Sequence, residues 1–370
     1  MLYNLVIAPY KNTPTVHTVV SDDVNYRIII NDKESYIVGV TIENSDEGQC
    51  KTGNIVHNLH IGRYCSLSHD LHFLIGRGKD YTRVTVSAAK VFHGVRNELS
   101  SHVEKGSLIF ENDIWVGSNA SFMGGITIHN GAVVAAHSHV VKDVPPYAIV
   151  GGNPAKIIGY RFDAETIEAL QTIGWWYWSD REIEERVADF ANIQTFCQKY
   201  LPSAKQEIEQ VCSKRNKQSD LYLMRLEIGE GYFVFPRVAD AFIKAFQTDE
   251  NKVLQLFILK EDEEKFPDET QGIRDSFDKM NTTTGIACRL LLKVLDGIEE
   301  AKDLMVNASH LIINRALETV RLMEYARIYG ENIEIISGVD SPLILTKQHR
   351  GSSCGGNKTH ELNHGMDKAI

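Results

Sequence analysis

A period of six constrains this chain more than any other feature. Phe110, Val116, Phe122, Ile128, Val134 and Val140 place an aliphatic or aromatic residue at every sixth position. An α-helix needs three-and-four spacing and a strand needs alternation, so neither accounts for the run. A six-residue period makes each hexad one flat side of a coil, and stacked coils join their apolar residues into a continuous core, as in hexapeptide β-helices. Four residues beyond Val116, Phe122, Ile128 and Val134 stand Ala120, Ile126, Ala132 and Ser138, mostly small, as tight corners require. Gly117, Gly125 and Gly131 add permissive backbone near those corners. An earlier run, Ile55, Ile61, Leu67 and Phe73, keeps the same period, with Cys65 at a small corner position.

Around this core the chain divides by composition. Residues 1–50 read as short strands (YRIIIN, YIVGVTIE) between polar turns, an N-terminal β cap. The β-helix is expected over 51–162, interrupted by an inserted loop at 75–107 that breaks the period; long loops in compact folds tend to be functional or disordered. From Asp163, a good N-cap with Glu165 and Glu168 behind it, the spacing turns helical over 163–202. Residues 203–350 alternate strand-like segments (LYLMRLEI, YFVFP, VLQLFILK, ACRLLLKVL, HLIIN, ENIEIIS) with helix-like ones, which suggests a parallel α/β domain. The last twenty residues, 351–370, lack apolar periodicity and read as a mobile tail. The expected class is thus mainly β, a parallel β-helix with an inserted loop, followed by helices and a C-terminal α/β domain.

Bulk properties exclude several functions. At 43% hydrophobic and 24% charged residues the chain is an ordinary globular protein. A formal charge of −10 with no Lys/Arg-rich run argues against a nucleic-acid partner. The six cysteines form no CxxC, and no metal-ligand or Ser-His-Asp spacing stands out in the sequence. Without a signal-peptide pattern or a transmembrane-length apolar run, the expected location is cytoplasmic.

Three stretches carry a resemblance: IGRYCSLS (Ile61 to Ser68), NDIWVGSNASFMGGITIHNGAVVAAHSHVVKDVPPYAIVGGNPAKII (Asn112 to Ile158) and RFDAETIEALQTIGWWYW (Arg161 to Trp178). Here the chain resembles the xenobiotic (chloramphenicol and streptogramin) acetyltransferase subfamily of left-handed β-helix acyltransferases, to which sugar O- and N-acetyltransferases are related. The resemblance implies a left-handed coil, a homotrimer with active sites between neighbouring β-helices, and acetyl-CoA lying along the coils, with no metal. It also implies direct acetyl transfer, in which a loop histidine acts as general base on a hydroxyl or amine acceptor. Left-handed crossovers are rare in general, so the hand rests on the family and not on the spacing.

The family's histidine position falls on Asp80, seven residues beyond Phe73. Asp80 is therefore one candidate base, given a burial-raised pKa; His93, on the same loop, and His72, in the first hexad run, are the others. His137 and His139 lie in the segment that the family uses for the CoA arm. For the cofactor, the resemblance carries over Gly117, Ala135 and Ser138 beside the pantetheine arm, Lys142 and Lys156 near the phosphates, and Pro154 and Tyr147 near the adenine. In the C-terminal domain no GxGxxG or P-loop appears, and Arg315 and Glu318 are the first residues to consider. The expected function is acetyl transfer from acetyl-CoA to a sugar hydroxyl or amine in surface-polysaccharide synthesis. A trimeric scaffold that has lost the base, or a bifunctional enzyme with a sugar-nucleotide or glycosyl-transfer half, stands as the alternative.

Overall fold

The structure is a computed structural model that describes residues 2–7, 15–21, 24–44, 59–79, 81, 84, 102–226, 228, 235–313 and 316–336. The chain opens with β1 (Leu2–Ile7), β2 (Thr15–Ser21), β3 (Val24–Asn31) and β4 (Tyr36–Asn44). Next come β5 (Leu59–Ile61), β6 (Ser66–Leu67), β7 (Leu71–Lys79) and β8 (His102–Gly106). Short strands then recur as β9 (Leu108–Phe110), β10 (Trp115–Val116), β11 (Ser121–Met123) and β12 (Thr127–Ile128). The series continues with β13 (Val133–Val134), β14 (His139–Val140), β15 (Ala148–Gly152) and β16 (Ala155–Tyr160).

Parallel pairing sorts these strands into three faces of a coil. The first face stacks the start of β4 on β6, β10, β13 and β15. On the second, the rest of β4 lies beside β7, β11 and β14; the third stacks β3, β5, β9 and β12. Val116 lies on Val134 and Phe122 on Val140, each 18 residues further on, so three hexads make one turn. The period-six residues consequently all point inward: Ile61, Leu67, Phe73, Phe110, Val116, Phe122, Ile128, Val134 and Val140 are at most 2% exposed. Phe73, Phe110 and Phe122 meet at the centre with ring centroids 5.1 to 5.4 Å apart. Ile55 lies outside the described residues.

Corners repeat with the same turn. Tyr64, Asp113, Gly131 and Tyr147 have positive φ at one corner, Asp70, Asn119 and His137 at the next, and Gly106 and Gly125 at the third. Asp and Asn suit such positions because their short polar side chains tolerate the left-handed region. Within residues 1–50, β3 and β4 continue the parallel ladders, whereas β1 and β2 pair antiparallel with them and end the stack. The inserted loop leaves the coil through β7 and β8, which pair antiparallel from Gly76↔Gly106.

After the coil come α1 (Ala164–Ile173), α2 (Asp180–Arg186) and α3 (Ile193–Cys212). Asp163 caps α1 by accepting from the Thr166 N–H at 2.8 Å. Helix α3 runs through residue 203 with Pro202 inside it, so the helical extension reaches Cys212. Tyr147, expected near the adenine, is instead buried with Leu170, Phe196 and Tyr200 beneath these helices.

The C-terminal unit contains β17 (Asp220–Arg225), α4 (Phe235–Phe246), β18 (Lys252–Leu259), α5 (Lys260–Lys265) and α6 (Pro267–Asn281). It ends with β19 (Arg289–Leu295), α7 (Ala301–Met305), β20 (His310–Ile312), α8 (Thr319–Tyr329) and β21 (Glu334–Ile336). All five strands are parallel in the order β19-β18-β17-β20-β21, with an apolar cluster on each side of the sheet. Of the strand expected at YFVFP, Phe235 and Pro236 open α4 and the rest lies outside the described residues. The expectation of a mainly β chain is also corrected: eight α-helices accompany the twenty-one strands among the described residues. The coil joins its parallel strands by turning corners, whereas the parallel sheet of the C-terminal unit uses helical crossovers, and these account for much of the helix.

Polar side chains dock this unit on the coil corner that precedes the first face. Glu324 of α8 accepts from Trp176 Nε1 at 3.1 Å, Asn112 Nδ2 at 3.2 Å and Asn130 Nδ2 at 3.3 Å. Arg327 donates to Glu111 at 2.8 Å, and Arg63, paired with Asp32 at 3.0 Å, faces Glu318 at 3.9 Å. Burial and the nearby Glu111 charge push the Glu324 carboxyl up to about 7. Glu111 is also buried, but the hydrogen bond from His129 and the charge of Arg327 outweigh that burial and hold its carboxyl below the usual range.

Candidate functional site

The corner between the first and second faces carries very little side chain. Because Leu67, Val116, Val134 and Val150 stack in register, the residues after them, Ser68, Gly117, Ala135 and Gly151, form a column. Their amides hold the coils together: Ser68 donates to Val116 at 3.1 Å, Gly117 to Val134 at 2.8 Å and Ala135 to Val150 at 2.9 Å. A Cβ on Gly117 would lie 2.6 Å from the Ala136 nitrogen, so only glycine allows this stacking distance. On Gly151 a Cβ would meet that of Ala135 at 3.4 Å. The result is a column of small residues along which little more than backbone faces outward.

The expected cofactor residues divide over this geometry. Gly117 and Ala135 lie in the column itself. Lys156 of β16 pairs with Gly151 at the end of the column, and the exposed Pro154 lies in the turn just before it. Ser138 is buried, and its hydroxyl donates to the Ala135 carbonyl at 2.6 Å, so it offers the column no side chain. Lys142 follows β14 on the far edge of the second face and does not join the column.

On that second face Thr41, His72, Ser121 and His139 lie side by side in register. His72 is exposed, and Ser121 Oγ is 2.7 Å from His139 Nδ1. Of the three candidate bases only His72 is placed, because Asp80 and His93 lie outside the described residues. On the first face Trp115, 59% exposed, lines up with Val133 and Ile149, and Ile157 and Ile158 of β16 are exposed nearby. This apolar strip borders the column.

One arrangement in the structure has no counterpart in the sequence reading. His69, Asp70, Ser118 and Ser68 meet at the same corner, with His69 Nε2 3.0 Å from Ser118 Oγ and His69 Nδ1 2.8 Å from Asp70 Oδ2. A Ser-His-Asp set is invisible in the sequence because Ser118 lies 49 positions beyond His69. The one signal was the period itself: Leu67 stacks on Val116, so the residues that follow them share a corner.

In the C-terminal unit, a cavity of about 510 Å³ opens between α1, α2 and α3 on one side and α7 and α8 on the other. Its charged walls are paired with one another: Lys302 meets Glu207 at 2.7 Å and Glu299 at 2.8 Å. Of the first residues considered there, Arg315 lies outside the described residues. Glu318 lies half-buried at the docking surface against Arg63, where desolvation and the Asp32 charge raise its carboxyl.

A probable macrolide acetyltransferase from Lysinibacillus sphaericus is 37% identical over 130 residues, which cover 34% of this chain and 72% of that protein. The family follows from that coverage. This chain belongs to the xenobiotic acetyltransferase subfamily of hexapeptide-repeat acyltransferases. A chloramphenicol acetyltransferase from Agrobacterium fabrum is 38% identical over 125 residues, covering 32% of this chain and 60% of that one. A solved maltose O-acetyltransferase from Clostridium difficile 630 is 25% identical over 29% of this chain and 50% of its own, with a TM-score of 0.22. No family model matches the chain. These matches cover about a third of this chain.

Proposed function

We propose that this xenobiotic acetyltransferase relative moves an acetyl group from acetyl-CoA to a hydroxyl or amino group of a sugar, in surface-polysaccharide synthesis in the cytoplasm. The observation that carries the reading is the column Ser68, Gly117, Ala135 and Gly151 with Lys156 at its end. A pantetheine arm is narrow and needs backbone approach, which the glycine positions allow; a lysine at the mouth suits a phosphate as a point charge. The coil is read as left-handed, as in the family. Three copies would pack through the strip of exposed Trp115, Ile157 and Ile158 beside half-buried Val133 and Ile149, leaving the column at the subunit cleft; exposed apolar patches of this kind mark association surfaces. A sugar ranks above an antibiotic as acceptor because a stand-alone resistance enzyme has no use for an appended α/β unit.

In this mechanism the acceptor oxygen or nitrogen attacks the thioester carbonyl while a base takes its proton, and the CoA thiolate leaves and is reprotonated. His72, Asp80 and His93 are the bases to test. A thiol-release assay with acetyl-CoA and a panel of mono- and oligosaccharides tests the proposal directly. Release that depends on acceptor, and that is lost in one of His72→Ala, Asp80→Ala or His93→Ala, supports it. Binding of acetyl-CoA without transfer to any sugar would leave the scaffold reading in its place.

A further inference from the structure

The same corner holds a hydrogen-bonded chain whose direction is set once the His69 imidazole is neutral. A carboxylate only accepts, so the proton between Asp70 and His69, 2.8 Å apart, belongs to Nδ1 of the imidazole. Nε2 then carries a lone pair and must accept from Ser118 Oγ, 3.0 Å away. Since that hydroxyl proton is committed to His69, Ser68, at 2.8 Å, must be the donor to Ser118 Oγ. The tautomer follows from these partners alone. The order is nucleophile, base, orienting acid, the relation by which acyl-transfer triads are recognised on unrelated folds.

The fold holds the three groups independently of any ligand. His69 and Asp70 turn the corner between β6 and β7, Asp70 with φ of 55°, and Ser118 turns the same corner one coil further on. The Asn119 N–H donates to the His69 carbonyl at 3.1 Å, which fixes one turn on the other. His69 and Asp70 are exposed and Ser118 half-buried, so an ester can reach the hydroxyl from solvent.

We propose that Ser118, His69 and Asp70 form a serine nucleophile site that accepts acyl groups from activated esters or thioesters. This is a covalent activity beyond the direct transfer described above, and it does not rest on it. Ser118 Oγ bonds to the acyl carbon as the bond from that carbon to the leaving oxygen or sulfur breaks. The hydroxyl proton passes to His69 Nε2 and from there to the leaving alkoxide or thiolate. In the second half water attacks the acyl-serine, His69 takes the water proton, and that proton returns to Ser118 as the carboxylic acid departs. Asp70 positions the imidazole and stabilises its charged form throughout.

The full chain is treated at pH 8 with an alkyl fluorophosphonate and, separately, with p-nitrophenyl acetate, and adducts are located by peptide mass spectrometry. One phosphonyl group per chain on Ser118 is expected, with a transient acetyl group on the same residue. Labelling should fall at least about a hundredfold in His69→Ala and fall by a smaller factor in Asp70→Asn. If His69→Ala fails to fold, Asp70→Asn carries the same comparison, since its side chain is 72% exposed and the amide keeps its shape. Absence of an adduct on Ser118, or labelling that is the same with and without His69 and Asp70, overturns the proposal. Neither reagent involves CoA, so failure here and failure of the acetyl-CoA reading are separate results.

Discussion

The coil and the C-terminal α/β unit bury their apolar residues by different rules. In the coil, burial follows from position in a period: every sixth residue points inward and its neighbours 18 positions away cover it. In the α/β unit, burial comes from strand runs such as Leu221–Arg225 that pack on both sides of a parallel sheet, with partners that only the long-range pairing decides. In the periodic coil the proposed site lies at a corner that repeats in register, that of Gly117, Ala135 and Ser118. An open parallel sheet offers its site at the strand ends where the order reverses, here between β17 and β20. That crevice is occupied from within the chain: Arg225 donates to the Leu317 carbonyl at 2.6 Å, and Glu318 faces Arg63 of the coil. The coil keeps a column of small residues at one corner, the site proposed for acetyl-CoA, whereas the described part of the α/β crevice presents docking contacts.

The largest test of this contrast is Phe122→Ala. It removes the ring that meets both Phe73 and Phe110, and should cost about 3–5 kcal/mol in the unfolding of the coil while leaving the α/β transition in place. Denaturant unfolding followed by near-ultraviolet signals would separate the two; a joint shift would make the units one cooperative body.

Next in size is the pH dependence of docking. Glu324 binds its proton more tightly when folded, at about 7 against an ordinary 4.5, so the folded state takes up a proton between those values. Stability therefore falls as pH rises from 4.5 to 7, by a loss on the order of 3 kcal/mol that is complete above 7 and absent below 4.5. Glu111 contributes with the opposite sign, but its carboxyl is lowered and acts below that window. Glu318, raised to about 7 by burial and the Asp32 charge, adds a loss of the same sign in the same window, so urea midpoints of the α/β transition at pH 5 and pH 8 should show a slope that Glu324→Gln lessens and does not abolish.

A smaller effect is expected from Gly117→Val, whose Cβ would collide with Ala136: about 1–3 kcal/mol of destabilisation, with loss of acetyl-CoA binding. Normal binding by this variant would show that the arm does not lie on the column. The smallest is Asn192→Ala, which removes the cap that accepts from the Thr195 N–H at 3.0 Å and should cost about 1 kcal/mol in the helical extension alone.

How much could be read in advance follows the same division. The inward set of the coil and its small corners were legible because one period determines them, and Asp163 announced α1 by its capping chemistry. Alternation of strand and helix patterns was enough to expect a parallel α/β unit. The sheet order was not legible, since five similar apolar strands carry no local mark of which lies beside which. The start of α4 was missed because Phe235 and Pro236 follow an aromatic, β-branched run that reads as a strand. At the site, Gly117 and Ala135 were expected where the column lies, but the inward turn of the Ser138 hydroxyl was not, because a corner serine can face either way. The His69, Asp70 and Ser118 set depended on coil stacking across the inserted loop, and loop length hides that register. Glu324 was missed for a related reason: its partners Asn112, Asn130 and Trp176 come from other units.

Calorimetric titration of the full chain with acetyl-CoA tests the central reading most directly. Saturable binding near one ligand per chain, weakened by Lys156→Ala and abolished by Gly117→Val, is the predicted result. Absence of heat at millimolar acetyl-CoA, with the protein folded, would contradict it and leave the coil as a scaffold.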